Sequence, residues 1–150
     1  MRIIKLLEIM HNQLNKLQEM YEVLQKMQNA MVESDYDKFE KSIELQEKIL
    51  AEIRAYEKAR VDILKDLLQS DILPEKNILV QKLFEAEPEA DLALQEEYLN
   101  IRNSLINVVG EIENLNFQNK YLIDHSRKFI KELVTNLYGV KNHKLLDKKV

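Results

Sequence analysis

Residues 92–122 read LALQEEYLNIRNSLINVVGEIENLNFQNKYL. Apolar side chains recur in this stretch at alternating intervals of four and three: Leu94, Tyr98, Ile101, Leu105, Val108, Ile112, Leu115, then Asn119 in register and Leu122. Such spacing keeps one narrow stripe on one side of an α-helix, as in coiled coils and bundles. The register continues through Ser126, Phe129 and Leu133, which predicts a single helix over about residues 89–137. Pro88 suits the first turn of that helix, and Gly139 stands where a helix commonly ends in a left-handed residue. Gly110 weakens its middle by roughly 1 kcal/mol relative to alanine without forbidding it.

Working outward, the first segment has the same rhythm, with Ile3, Leu7, Met10, Leu14, Leu17, Tyr21, Leu24 and Met31 on one stripe. It predicts a helix from about Ile3 to Glu33. Ser34 and Asp35 supply a turn and a cap for a second helix over about residues 36–69, in which Phe39, Ile43, Leu50, Ile53, Tyr56, Ile63, Leu64 and Leu67 form a less regular stripe. Arg60 lies within the drift of that stripe, and such an arginine more often extends its head to solvent. Pro74 ends this run, and residues 77–86 suit a short connecting helix. The expected fold is all-α: an elongated antiparallel bundle of three long helices with a short connecting helix. It forms one domain over residues 1–139, followed by a flexible basic tail over residues 140–150. The methionines at 10, 20, 27 and 31 fit a core better than an adaptable binding surface.

Helix lengths carry a geometric consequence. At about 1.5 Å per residue, the second and third long helices span roughly 50 and 70 Å. If they run antiparallel from a short link, the end of the third overhangs its neighbours by up to about 20 Å. That end carries Phe129, Ile130, Leu133 and Leu137. Large apolar residues without an intramolecular partner call for an intermolecular one.

Composition narrows the function classes. The 150 residues are 45% hydrophobic and 32% charged, too apolar for a disordered chain and too charged for a membrane one. No run approaches the roughly 18 apolar residues of a membrane span, so no membrane insertion is expected. The apolar start is too short for the core of a signal peptide. The chain has no cysteine, which excludes disulfides and thiolate metal sites and suits a reducing cytoplasm. Net charge is −4, and the acidic body argues against nucleic-acid binding.

Candidate chemistry is sparse. Glu8 and His11 have the Glu-x-x-His spacing of a di-iron ligand pair, but such a site needs a second motif and two more glutamates. Leu122 precedes His125 at that spacing and Val140 precedes His143, so the second motif is missing. Asp124, His125 and Ser126 are triad residue types, yet consecutive helical residues point in different directions. With glycine only at 110 and 139, no phosphate loop can form. No catalytic residue, metal ligand or cofactor is expected, and the protein is read as one that holds another protein. Asn116 and Asn119 allow two readings. A polar residue on an apolar seam fixes register, whereas a pair of asparagines near one another on a helix can hydrogen-bond a guest.

Three motifs resemble a known family. Leu115-Asn116-x-x-Asn119-x-x-Leu122, followed by Ser126, is similar to the signature in the last long helix of FlgN-type flagellar export chaperones. Tyr56-Glu57-x-x-Arg60 resembles their second-helix pattern, and Leu137-Tyr138-Gly139 the close of their helical region. Their order and spacing also fit. The family often continues Tyr-Gly-x-x-Gly, where this chain has Asn142, and its tail here is more basic. The resemblance implies a cytoplasmic chaperone of type III flagellar secretion. Such a protein binds the C-terminal segments of hook–filament junction (hook-associated) proteins, prevents their premature association and delivers them to the export gate. By the same resemblance Asn116, Asn119 and Leu122 belong to the client-receiving helix, and Tyr138 contacts the gate's cytoplasmic domain. The alternative is a coiled-coil adaptor that self-associates, for instance as a homodimer, through the same stripes.

Overall fold

The computed structural model describes residues 1–138, with the side chains of Ser126, Arg127, Phe129, Ile130 and Tyr138 left aside. Four helices follow one another: α1 (Arg2–Val32), α2 (Tyr36–Leu68), α3 (Lys76–Ala86) and α4 (Leu92–Tyr138). No strand occurs among the described residues. The tail expected over residues 140–150 and the helix end expected at Gly139 lie outside the described residues.

α1 is the spine. Its buried residues form a broad face that includes Ile3, Leu7, Met10 and Leu24 and a second seven-residue series, Leu6, Gln13, Met20 and Met27. One narrow stripe was expected; α1 buries two because it is covered on two sides. α2 returns antiparallel to it, as Arg2 beside Asp66 and Lys16 beside Glu52 show. α4 runs parallel to it, with His11 against Glu97 and Gln28 against Gln118. On α4 the buried residues Tyr98, Ile101, Val108, Leu115 and Asn119 all belong to the stripe read from sequence.

Two apolar clusters result. The lower one joins Ile3, Leu6, Leu7 and Met10 to Leu64, Leu67, Tyr98 and Ile101, and α3 inserts the fully buried Leu83 into it. Phe84 meets Tyr98 edge to face at 6.0 Å between ring centres. The upper cluster gathers Met20, Val23, Leu24 and Met27 with Ile49 and Leu115.

The turns have local causes. Ser34 takes a left-handed φ of 57° after α1, and the Asp35 side chain accepts a hydrogen bond from the Lys38 backbone N–H to start α2. Gln69, also left-handed at φ 48°, ends α2 with its N–H bonded to the Asp66 carbonyl. Pro88 lies in a turn closed by the Ala90 N–H on the Glu87 carbonyl, not in the first turn of α4. Asp91 takes the capping role instead, accepting from the Leu94 N–H at 3.0 Å. A proline at the second position of a turn is as well preorganised as one at a helix start, and an aspartate cap then fixes where the helix begins.

Candidate functional site

Register along α1 sets where α4 loses its neighbour. Asn119 donates from Nδ2 to the Leu24 carbonyl at 3.2 Å. Eight residues on, α1 ends at Val32, opposite residue 127 of α4, and α2 begins after only three intervening residues and runs back the other way. α4 continues to Tyr138, so its last eleven residues project past the other helices by about 16 Å at 1.5 Å per residue. On this projection Leu133 is 45% and Leu137 67% exposed. The backbones of Phe129, Ile130 and Tyr138 lie on it too, with side chains outside the described residues.

The asparagine pair does not share an environment. Asn119 is buried on the seam, 3% exposed, with Oδ1 lacking a hydrogen-bond partner. Asn116 is exposed, and Leu122 is half-buried between the two settings. In the free chain, then, the residues of the Leu-Asn-x-x-Asn-x-x-Leu motif divide between the α1 seam and the solvent face. Exposed aromatic residues continue that solvent face: Phe117, and Tyr121 stacked on His125 at 6.0 Å.

A second feature lies lower in the molecule. α2 and α4 both rest on α1 and leave between them a cleft of about 630 Å³, closed at its lower end by the segment leading into α3. Its polar centre is built by Glu57 and Arg60, one turn apart on α2. Arg60 donates from Nη2 to Glu57 Oε1 at 2.6 Å and from Nε to Oε2 at 2.9 Å, while Gln13 Nε2 donates to Oε2 at 2.7 Å. The Arg60 head is thus held by Glu57 rather than released to solvent, which corrects the reading from the helical drift. Arg60 holds the Glu57 carboxyl below its ordinary range, burial opposing and Gln13 assisting. In return Glu57 raises Arg60, which stays charged. Burial raises the Tyr98 phenol at the cleft floor, so it too keeps its proton.

Nothing in the periodicity marks Gln13 or Arg102 as cleft residues, because the cleft arises from the separation of α2 and α4. The cleft residues that did stand out in the sequence are Glu57 and Arg60, through the Tyr56-Glu57-x-x-Arg60 motif, and Gly110, as a helix-weakening residue beside an otherwise unbroken stripe.

His11 approaches Glu97 rather than serving with Glu8, and among the described residues no group of three or more His, Cys, Asp or Glu could hold a metal ion. No described helix is long and apolar enough to cross a membrane. What the geometry offers is surface for protein: a projecting helix end with exposed leucines and an open cleft between helices. A protein-family model described as FlgN protein matches residues 1–146. No curated protein and no solved structure matches the chain.

Proposed function

The chain belongs to the FlgN family, whose members are flagellar export chaperones rather than enzymes, and on that premise we propose that it holds the C-terminal segments of hook-associated proteins in the cytoplasm. It prevents their premature association and delivers them to the export gate. The observation that carries this reading is the projection of α4, where Leu133 and Leu137 stand exposed beyond the ends of α1 and α2. A client segment that becomes helical against that end covers both leucines. Folding the segment costs several kcal/mol of the gross interaction, which keeps the complex reversible, as a carrier requires.

In this reading Leu133 and Leu137, with Phe129 and Ile130 on the same stretch of backbone, form the client surface. Asn116 and Leu122 extend it toward the bundle, and Asn119 joins them only if its seam opens. Tyr138, at the end of α4, faces the gate's cytoplasmic domain.

The test is a binding titration with the C-terminal segment of a hook–filament junction protein. Burying one large apolar side chain is worth about 1.5–3 kcal/mol, so replacing both Leu133 and Leu137 by serine should weaken binding at least tenfold. Because both are exposed in the free chain, its melting temperature should stay unchanged. Unaltered affinity removes the α4 end from the model. Tyr138→Ala should spare client binding and reduce secretion; normal secretion removes the gate contact.

A further inference from the structure

The cleft between α2 and α4 has the form of an unfilled fourth-helix position. α3 occupies the lower part of that position, where Leu83 is buried against α1, α2 and α4. Above it the floor and walls are apolar, with Leu17, Leu105, Ile106 and Val109, and none of the described residues fills the cleft over them.

Three observations in the cleft point to what fills it. Gln13 is 94% buried; its Nε2 donates to Glu57, while its Oε1 has no partner among the described residues. Arg102 Nε, on the opposite wall, is a buried donor that also has no partner. Buried polar groups are nearly always hydrogen-bonded, so an open acceptor and an open donor in one cleft ask for a group that supplies both. A carboxylate satisfies Arg102 but meets the Gln13 oxygen as a second acceptor. A side-chain carboxamide donates to one and accepts from the other.

The third observation is Gly110. A Cβ built there meets no atom within 4 Å, so no packing among the described residues requires glycine. It sits mid-helix, where glycine is unfavourable, and it lines the cleft. Small residues at such a place let another backbone approach closely.

We propose that this cleft is a docking slot for an amphipathic α-helix of a partner protein, packed closely over Gly110, whose apolar stripe carries one asparagine or glutamine that bonds Gln13 and Arg102. The slot is separate from the projecting end of α4, and the proposal does not depend on which client that end receives.

The experiment selects binders to the full chain from a displayed library of amphipathic helical peptides with the apolar-face positions randomised. The expected winners carry leucine-like residues with a single Asn or Gln at one fixed stripe position. Methionine-methyl NMR locates them: the Met10 signal, from a residue lining the cleft, should shift, and those of Met27 and Met31 should not. Replacing the selected carboxamide by Leu should weaken binding at least tenfold. Gly110→Leu, whose side chain enters open space in the free chain, should retain the fold by circular dichroism and also weaken binding at least tenfold. The proposal is overturned if no peptide is selected, if winners lack a carboxamide, if Met10 does not respond, or if Gly110→Leu binds as the wild type does. Serine at Leu133 and Leu137 should leave peptide binding intact, which separates failure here from failure at the α4 end.

Discussion

Replacing Asn119 by leucine should stabilise the free protein. Asn119 is 3% exposed on the seam between α4 and α1, and among the described residues its side chain makes one hydrogen bond, Nδ2 to the Leu24 carbonyl at 3.2 Å, at the long end of the usual range. That bond contributes about 1 kcal/mol net, while a buried, unpaired Oδ1 costs about 1–3 kcal/mol. The Leu24 carbonyl lies inside α1 and keeps its own helical partner, so the change leaves no orphan there. A buried leucine adds about 1.5–3 kcal/mol of transfer energy. Its branching in an existing packing hole costs about 1–3 kcal/mol. Taken at their midpoints these terms leave a gain of about 1 kcal/mol, which for a chain of this size raises Tm by about 2–4 °C. Thermal unfolding followed by circular dichroism measures it. A lower Tm would refute the account, since it would mean that the bond to Leu24 outweighs both the orphaned oxygen and the added burial. The same variant separates the two readings of the asparagine. Unchanged client affinity at higher Tm assigns Asn119 to the register of the bundle; a loss of affinity at higher Tm assigns it to the client.

Gln69→Gly should add about 0.5–1 kcal/mol of stability, because the residue is exposed, ends α2 at φ 48°, and glycine takes that left-handed conformation without the strain of a side chain; urea unfolding checks it, and a fall in midpoint contradicts it. Glu57 should contribute to acid sensitivity: its folded pKa lies below the ordinary 4.5, so its contribution is complete above that value and is lost as pH falls through the lower folded value. Its side chain is 46% exposed, so the effect is a modest one. Glu57→Gln should flatten the decline in stability below pH 4.5, and an identical acid limb in wild type and variant would dismiss the linkage.

The parts of the fold legible in the sequence are those set by local periodicity. The α4 stripe from Tyr98 to Asn119 is buried or half-buried as its four-three spacing requires, and the projection of α4 follows from length alone. What escaped was tertiary. Met20 and Met27 are in the core as expected of them, but that they form with Leu6 a second buried series on α1 was hidden, because Gln13 stands in its middle and a polar residue there breaks the apolar pattern that would announce it. Gln13 is tolerated because Glu57 comes from α2 to meet it, a partner 44 positions away. Arg60 looked solvent-bound for the same reason. Its partner is one turn away, but only the burial supplied by other helices makes that pair part of a cleft. At Pro88 two start signals competed, and the aspartate cap three residues later prevailed. The residues proposed to meet a client fared unevenly: the exposure of Leu133 and Leu137 followed from helix length, whereas periodicity could not divide Asn116 from Asn119.

The arrangement has a physical logic that bears on how such a protein holds another. A closed four-helix bundle buries the apolar faces of all its helices against one another and leaves little for a guest. Here only α1 is covered on two sides, and α3, eleven residues long, fills just the base of the fourth position. α4 therefore packs one stripe on α1 while Ile106, Val109, Phe117 and Tyr121 stay open to solvent. Stability comes from the two clusters on the spine, and neither cluster uses Leu133, Leu137 or the upper cleft wall at Ile106 and Val109. The proposed binding surfaces and the folding core are thus carried by different faces of the same helix. A guest can be gained or lost without unmaking the fold, so variants on the guest faces should change affinity and those on the spine should change stability. Asn119 stands where the two faces meet, about two turns before α1 ends at Val32, which is why its replacement is the sharpest test of how the seam is held.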